Sequence, residues 1–250
     1  MIHATQLLTF EIGSRCNFEQ RHKELCPIIH MKRGNRELTN LMIVDSACKA
    51  YFELGFTGFI SWHFYNEPMI YWPRMLDLMV TMKGLIPRSR FFLWTNGSIL
   101  IDDERMKLFD VTMISNYLNK SIEELARHFH NPLTKVGGQE LDNRLIHYGE
   151  PGRNPCQIMF DNFLIANDGE VYICCHDWRN EVKIGNLFDS SLEELDAKRW
   201  EYAKQICGSQ MTDKAHDACI RCNQKWPVGG FDMDIRNKAL QEINRAIALR

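Results

Sequence analysis

GFISWHFYNEP, residues 58–68, sets an apolar, β-rich run directly against a polar, turn-like loop. It is flanked by two stretches with helical spacing, TNLMIVDSACKAYFEL (39–54) and PRMLDLMVTMK (73–83). A strand between two amphipathic helices is the unit from which parallel sheets are built. The same pattern extends to both sides. LLTFEIG (7–13) precedes the first helix, RFFLWTNG (90–97) follows the second, and a short helix near DDERMKLF leads to VTMISNYL (111–118). This alternation predicts an α/β fold in which helices cover a parallel sheet, and the chemistry of such sheets lies beyond the C-terminal ends of the strands. Three polar segments are expected there: the run from Cys16, HFYNEP (63–68) and TNG (95–97).

The pattern changes after residue 155. FLIANDGEVYICC reads as a hairpin turning at Asn167-Asp168-Gly169. KIGNL follows, and Ser190-Ser191-Leu192-Glu193-Glu194 offers a capping box to a helix over about 191–206. A mixed-charge amphipathic helix, DIRNKALQEINRAIALR, closes the chain. The boundary is placed near residue 150, giving domains of 1–150 and 151–250.

The 250 residues carry 30 basic and 32 acidic side chains, so there is no overall charge that favours nucleic acid or an anionic membrane. Neither a signal peptide nor an 18-residue apolar span is visible, and a cytoplasmic location is expected. Thiols stay reduced there, so nine cysteines read better as ligands, reactive groups or core residues than as disulfides.

Cys219 and Cys222 form a C-x-x-C loop whose sulfurs can face one metal. Cys156 precedes the hairpin and Cys174 ends it, so the hairpin can return the second thiol to the first. The four form one candidate site, suited either to zinc or to a [4Fe–4S] cluster. Cys175 points to the other side of the strand and is read as a non-ligand. Cys48 and Cys207 fall in helical patterns and are read as core.

These residues carry a resemblance. The chain resembles the radical S-adenosylmethionine enzymes with a SPASM or twitch auxiliary-cluster domain, and within them the short dehydrogenases of aminoglycoside biosynthesis. ISWHFYNEPMIY is similar to their second-strand motif, usually written G-G-E-P, with Asn66, Glu67 and Pro68 at its centre. Thr95, Asn96 and Gly97 resemble the third-strand motif, and ANDGEVYICCHDW through KIGNLFDSSLEEL to CIRCN resembles the C-terminal domain. The resemblance implies a partial (β/α) barrel followed by a small cluster-binding domain. It further implies that Asn66 to Pro68 and Thr95 to Gly97 bind S-adenosylmethionine. Cys156, Cys174, Cys219 and Cys222 would hold one auxiliary [4Fe–4S] cluster.

The family's hallmark is C-x-x-x-C-x-x-C after the first strand, three thiolates leaving one iron open for S-adenosylmethionine. Cys16-Asn17 matches its start and Cys26-Pro27 its end, but the loop is longer and the middle cysteine is missing. His22 is the nearest candidate for the third ligand, with His30 and Cys48 farther off. Two readings follow. One is an oxidoreductase that cleaves S-adenosylmethionine and takes hydrogen from a small polar substrate such as a sugar, cyclitol or amino acid, served by an electron-donor protein. The other is a degenerate iron–sulfur scaffold, electron carrier or partner subunit. Retention of Glu67 and TNG favours the enzyme; modification of a peptide, and a zinc site with a generic α/β module, are the remaining alternatives. His147, Tyr148, Glu150 and Arg153 are candidates for a substrate site between the domains, against the plainer reading of polar loop residues, and Trp62 and His63 are candidates to face the barrel interior, with core packing as the alternative.

Overall fold

The computed structural model describes residues 2–21, 26–130, 132–135, 151–152, 155–156, 158–207 and 211–222. His22, His147, Tyr148, Glu150, Arg153 and the closing helix lie outside them.

Five strands alternate with helices over the first part of the chain. They are β1 (Leu7–Phe10), β2 (Phe59–Ser61), β3 (Arg90–Thr95), β4 (Val111–Ser115) and β5 (Pro132–Lys135). The helices α1 (Asn40–Phe52), α2 (Trp72–Leu85) and α3 (Ile122–Ala126) connect them. Thr39 caps α1 by accepting from Met42 N–H, and a proline in the first turn of α2 costs nothing where no intrahelical donor is needed. The strands β1 to β5 pair in parallel, as the alternation requires.

The hairpin forms β6 (Asn162–Ile165) and β7 (Glu170–Tyr172), with Gly169 at φ 83 in the turn. A positive φ there favours glycine. β6 lies parallel to β1, from Leu7↔Asn162 to Phe10↔Ile165. The sheet therefore runs β5-β4-β3-β2-β1-β6-β7-β8, where β8 is Gly185–Asn186, and continues without a break past residue 150. The helix α4 (Leu192–Ile206) starts at the expected capping box of Ser191 and Glu194, and the short α5 (Asp217–Arg221) carries Cys219.

Alternation along the strands divides the side chains between two faces. Leu8, Phe10, Ile60, Trp62, Phe91, Leu93, Phe163 and Ile165 enter the main core with Ile43 of α1, Met75 and Met79 of α2 and Leu195 of α4. Burial of each large side chain stabilises by about 1.5–3 kcal/mol. A second cluster, Cys26, Ile28, Phe64, Tyr65, Leu164, Ala166 and Tyr172, forms separately from this core. Trp62, just past β2, takes the packing alternative: it is fully buried in the helix-side core, stacked on Phe91, continuing the alternation of the strand. His63 takes the other side, half-buried against Phe92 and Trp94, with Nδ1 2.7 Å from Ser61 Oγ.

Candidate cofactor centres

The loops after β1, β2 and β3 meet around one buried carboxylate. Glu67 Oε1 accepts from Thr95 Oγ1 at 2.7 Å and Met69 N–H at 3.0 Å, and Oε2 accepts from Asn96 N–H at 2.7 Å. Its own N–H donates to Arg15 O at 2.9 Å, one residue before Cys16. Burial raises the Glu67 carboxyl, and the three donors oppose that rise. Its oxygens are thus committed to the protein, and Glu67 acts as a clamp that shapes the loops. Asn66 has a parallel task, accepting from Phe64 N–H at 2.9 Å and donating to Trp62 O at 3.2 Å. Pro68 starts the short 3₁₀ turn that follows.

Asn96 extends the network to the first loop. Its amide donates to Asn17 Oδ1 at 2.8 Å and lies 4.0 Å from Cys16 Sγ. Asn17 in turn donates to Ser98 Oγ at 2.7 Å. Gly97, at φ 68, turns the chain where a Cβ would stand 2.7 Å from Ile114 Cγ2. Gly13 is needed for a different reason: the Tyr71 ring covers it, and the Tyr71 hydroxyl accepts from Arg15 N–H at 3.0 Å.

A second buried carboxylate fastens the same loops to the hairpin. Glu11 forms a two-pronged ion pair with Arg33 and accepts from Tyr65 N–H and Asn167 N–H, both at 3.2 Å. Burial raises its carboxyl, and Arg33 opposes the rise most strongly. The stretch from Cys26 to Arg33 is thereby anchored to both β2 and the hairpin turn. An acidic residue inside the apolar run LLTFEIG was the available signal for this clamp.

Cys16 and Cys26 border the same second cluster. Burial pushes the Cys16 thiol up to about 11, and the nearby Cys26 adds to the rise. The described residues supply two thiols for a three-donor set, so this centre fits a cluster incompletely. Among the alternative donors, His30 packs at 6.0 Å against Trp178, and Cys48 sits half-buried on α1.

The other four cysteines converge. Cys156, Cys174, Cys219 and Cys222 line one small cavity of about 30 Å³ with His176, between the hairpin, α4 and α5. Among the described residues no three donors stand close enough to hold a single metal ion. Burial and the neighbouring thiols push Cys174 well above its ordinary range, and burial pushes Cys219 up to about 12. Neutral thiols clustered in this way bind metal with release of protons. Cys175 packs against the second cluster, away from this cavity, and Cys207 is buried with its sulfur 3.0 Å from Cys156 O.

Two residues that sequence reasoning passed over support the cysteine cavity. Tyr202 donates to Cys219 Sγ at 3.3 Å and accepts from His216 N–H at 3.0 Å. Arg199 is fully buried. Its Nη2 donates to the carbonyls of Met159 and Asn162 at 2.8 Å and of Ile173 at 3.3 Å, while Nε and Nη1 have no partner. Burial lowers its guanidinium to about 10, and the buried Asp196 opposes that fall first, followed by Cys174 and Cys207. The four sulfurs are a donor set of the kind that holds zinc or a [4Fe–4S] group.

Residues 156–223 match the SPASM family, an iron–sulfur cluster-binding domain. The S-adenosyl-L-methionine-dependent 2-deoxy-scyllo-inosamine dehydrogenase of Niallia circulans is 26% identical over 242 residues, 87% of this chain and 92% of that protein. Among solved structures, BtrN in complex with AdoMet and 2-DOIA has a TM-score of 0.63 at 19% identity, covering 88% of this chain and 93% of that one. BtrN in an open conformation has a TM-score of 0.58 at 18% identity, covering 88% and 92%. These two structures share the fold of a partial (β/α) barrel followed by a cluster-binding domain. No described helix is long and apolar enough to cross a membrane.

Proposed function

We propose that this chain, a radical S-adenosylmethionine oxidoreductase with a SPASM/twitch domain, oxidises an alcohol of a small polar substrate to a ketone. The observation that carries the reading is the pairing of two centres on one sheet. Cys16 follows β1, and the four-cysteine cavity lies behind the hairpin whose β6 is hydrogen-bonded to β1.

Bound S-adenosylmethionine and a first cluster would supply a 5′-deoxyadenosyl radical, and an auxiliary [4Fe–4S] cluster would take an electron. The residues of this chain bind and orient. Cys16 and Cys26 are the thiol donors of the first centre, with His22 as the candidate third donor. Asn66, Glu67 and Pro68 and the turn Thr95-Asn96-Gly97 shape the surface for S-adenosylmethionine. Cys156, Cys174, Cys219 and Cys222 hold the auxiliary group, and an electron-donor protein serves the first centre. Loss of one hydrogen atom, one electron and one proton from a carbinol balances its oxidation to a ketone.

Anaerobic reconstitution followed by low-temperature EPR of the reduced protein, with and without S-adenosylmethionine, tests this. A signal that changes on addition, together with 5′-deoxyadenosine formation, supports the enzyme. A single unperturbed cluster signal and no cleavage supports the iron–sulfur scaffold, the reading that the missing third thiol favours.

A further inference from the structure

One stripe of α4 is turned to the cysteine cavity. Arg199, Tyr202 and Ile206 follow one another at three- and four-residue spacing on that helix. Ile206 lines the cavity, Tyr202 donates to Cys219 Sγ, and Arg199 donates to the carbonyls of Met159 and Ile173, two residues of the lining. The Ile173 carbonyl belongs to the peptide bond that leads into Cys174, so the guanidinium is anchored one residue from a cysteine of the set.

Holding backbone carbonyls does not by itself require a charged side chain. Nη2 makes all three carbonyl bonds of Arg199, and its other two nitrogens are buried without a partner. The Phe163 ring closes one side, its centre 4.4 Å from Arg199 Cζ. Among the described residues the groups whose charge acts on this cation are Asp196, on the same helix, and the thiols of Cys174 and Cys207. None of the three accepts a hydrogen bond from it: Asp196 Oδ1 accepts from Ile2 N–H at 2.6 Å, and the Cys207 sulfur is turned to Cys156 O. Cys174 is therefore the member of the four-cysteine set that feels the buried charge.

We propose that Arg199 sets the reduction potential of the auxiliary cluster, its fixed positive charge favouring the state that holds one more electron. Net charge around a cluster is one of the levers on its potential, and a buried cation is little screened by salt. Reduction adds one negative charge at the irons and sulfurs, and Arg199 stabilises that charge from behind Cys174. This rests on the reading that the four cysteines hold a [4Fe–4S] cluster and that an electron reaches it from substrate. That electron leaves the radical on the carbinol carbon; its loss, with the hydroxyl proton passing to water, makes the ketone. Arg199 is fully enclosed, so it reaches no substrate and acts only through the cluster, as a positioning residue for charge.

The test uses the full chain, reconstituted anaerobically, in a redox titration followed by EPR of the signal that S-adenosylmethionine leaves unchanged. Arg199→Met removes the charge, Arg199→Gln removes it but keeps a donor, and Arg199→Lys keeps it. The two neutral variants should lower the midpoint by at least tenfold in the one-electron equilibrium, about 59 mV, and Arg199→Lys by less than threefold, about 28 mV. Asp196→Asn removes the opposing carboxylate, keeps an acceptor for Ile2 N–H and should raise the midpoint. It decides the matter if the neutral variants fail to fold or to take up iron. Neutral-variant midpoints within threefold of wild type, Arg199→Lys falling as far as Arg199→Met, or an Asp196→Asn midpoint that does not rise would overturn the proposal and leave Arg199 a clamp of three carbonyls. Iron and zinc analysis separates this from the reading on which it rests. Zinc in place of iron at the four cysteines overturns that reading, whereas an intact iron centre whose potential ignores residue 199 overturns this inference alone.

Discussion

Replacing glycine by alanine should have opposite effects at Gly97 and Gly84. Gly97 has φ 68, and an added Cβ would lie 2.7 Å from Ile114 Cγ2 and 3.6 Å from Leu125 Cδ2. The left-handed backbone costs an alanine about 1–2 kcal/mol, and the overpacking about 1–3 kcal/mol more. The stiffer unfolded chain returns about 0.4–1 kcal/mol. The net expectation for Gly97→Ala is a loss of about 1–4.6 kcal/mol. Gly84 lies in α2, where an added Cβ meets nothing within 4 Å. There alanine should gain about 0.5–1 kcal/mol from helix propensity and unfolded-state entropy. Urea denaturation of both variants beside the wild type measures this, a lower midpoint for one and a higher midpoint for the other at unchanged slope. If both changes move the midpoint in the same direction, or Gly97→Ala stays within about 0.5 kcal/mol of wild type, the turn after β3 is not held as described. Because Asn96 adjoins Gly97 and donates to Asn17, the destabilised variant should also lose affinity for S-adenosylmethionine.

Other outcomes follow from the two centres. Tyr202→Phe removes a donor to Cys219 sulfur, so the auxiliary cluster should become harder to reduce; a redox titration followed by EPR should show a lower midpoint, with about 59 mV corresponding to tenfold for one electron. Iron analysis after reconstitution should show Cys174→Ala losing the auxiliary cluster's iron and Cys175→Ala keeping it. Glu67→Gln places an amide NH₂ against Asn96 N–H and should cost about 1–3 kcal/mol near pH 4.5. The folded carboxyl sits above its ordinary value of 4.5 because burial disfavours its charge, so wild-type stability from this group is fullest below that pH and is lost as pH rises through the raised value. The gap between wild type and Glu67→Gln should therefore narrow with rising pH, as denaturation midpoints from pH 4.5 to 8 would reveal.

Much of this was legible in the residues. The strands β1 to β4 and helices α1, α2 and α4 follow from apolar period and capping, and that Cys156 and Cys174 border one cavity with Cys219 and Cys222 follows from the hairpin for the first pair and the C-x-x-C spacing for the second. β5, Pro-Leu-Thr-Lys, was not visible because it is short and lacks an alternating apolar pattern. The pairing of β6 with β1 was invisible for a different reason: no local signal marks which edge a hairpin joins. Trp62 shows that a motif's neighbours need not share its face. Sequence reasoning put Glu67 on the polar loop after the second strand, but only the structure shows its oxygens occupied by Thr95, Asn96 and Met69. Arg199 and Tyr202 sit on one helix as ordinary polar residues until α4 folds against the sulfurs.

The parallel seam between β1 and β6 has a consequence for how the molecule is made. β1 is the sheet's first strand to leave the ribosome, yet one of its edges stays unpaired until residues 162–165 emerge. All four of its residues are buried in the finished sheet, so a nascent chain ending near residue 150 would expose an apolar strand edge that invites self-association. The barrel and the cluster-binding segment must then complete folding together. A gene fragment cut between them should yield neither a soluble barrel nor a transferable module, and recombination would have to move the two halves as one.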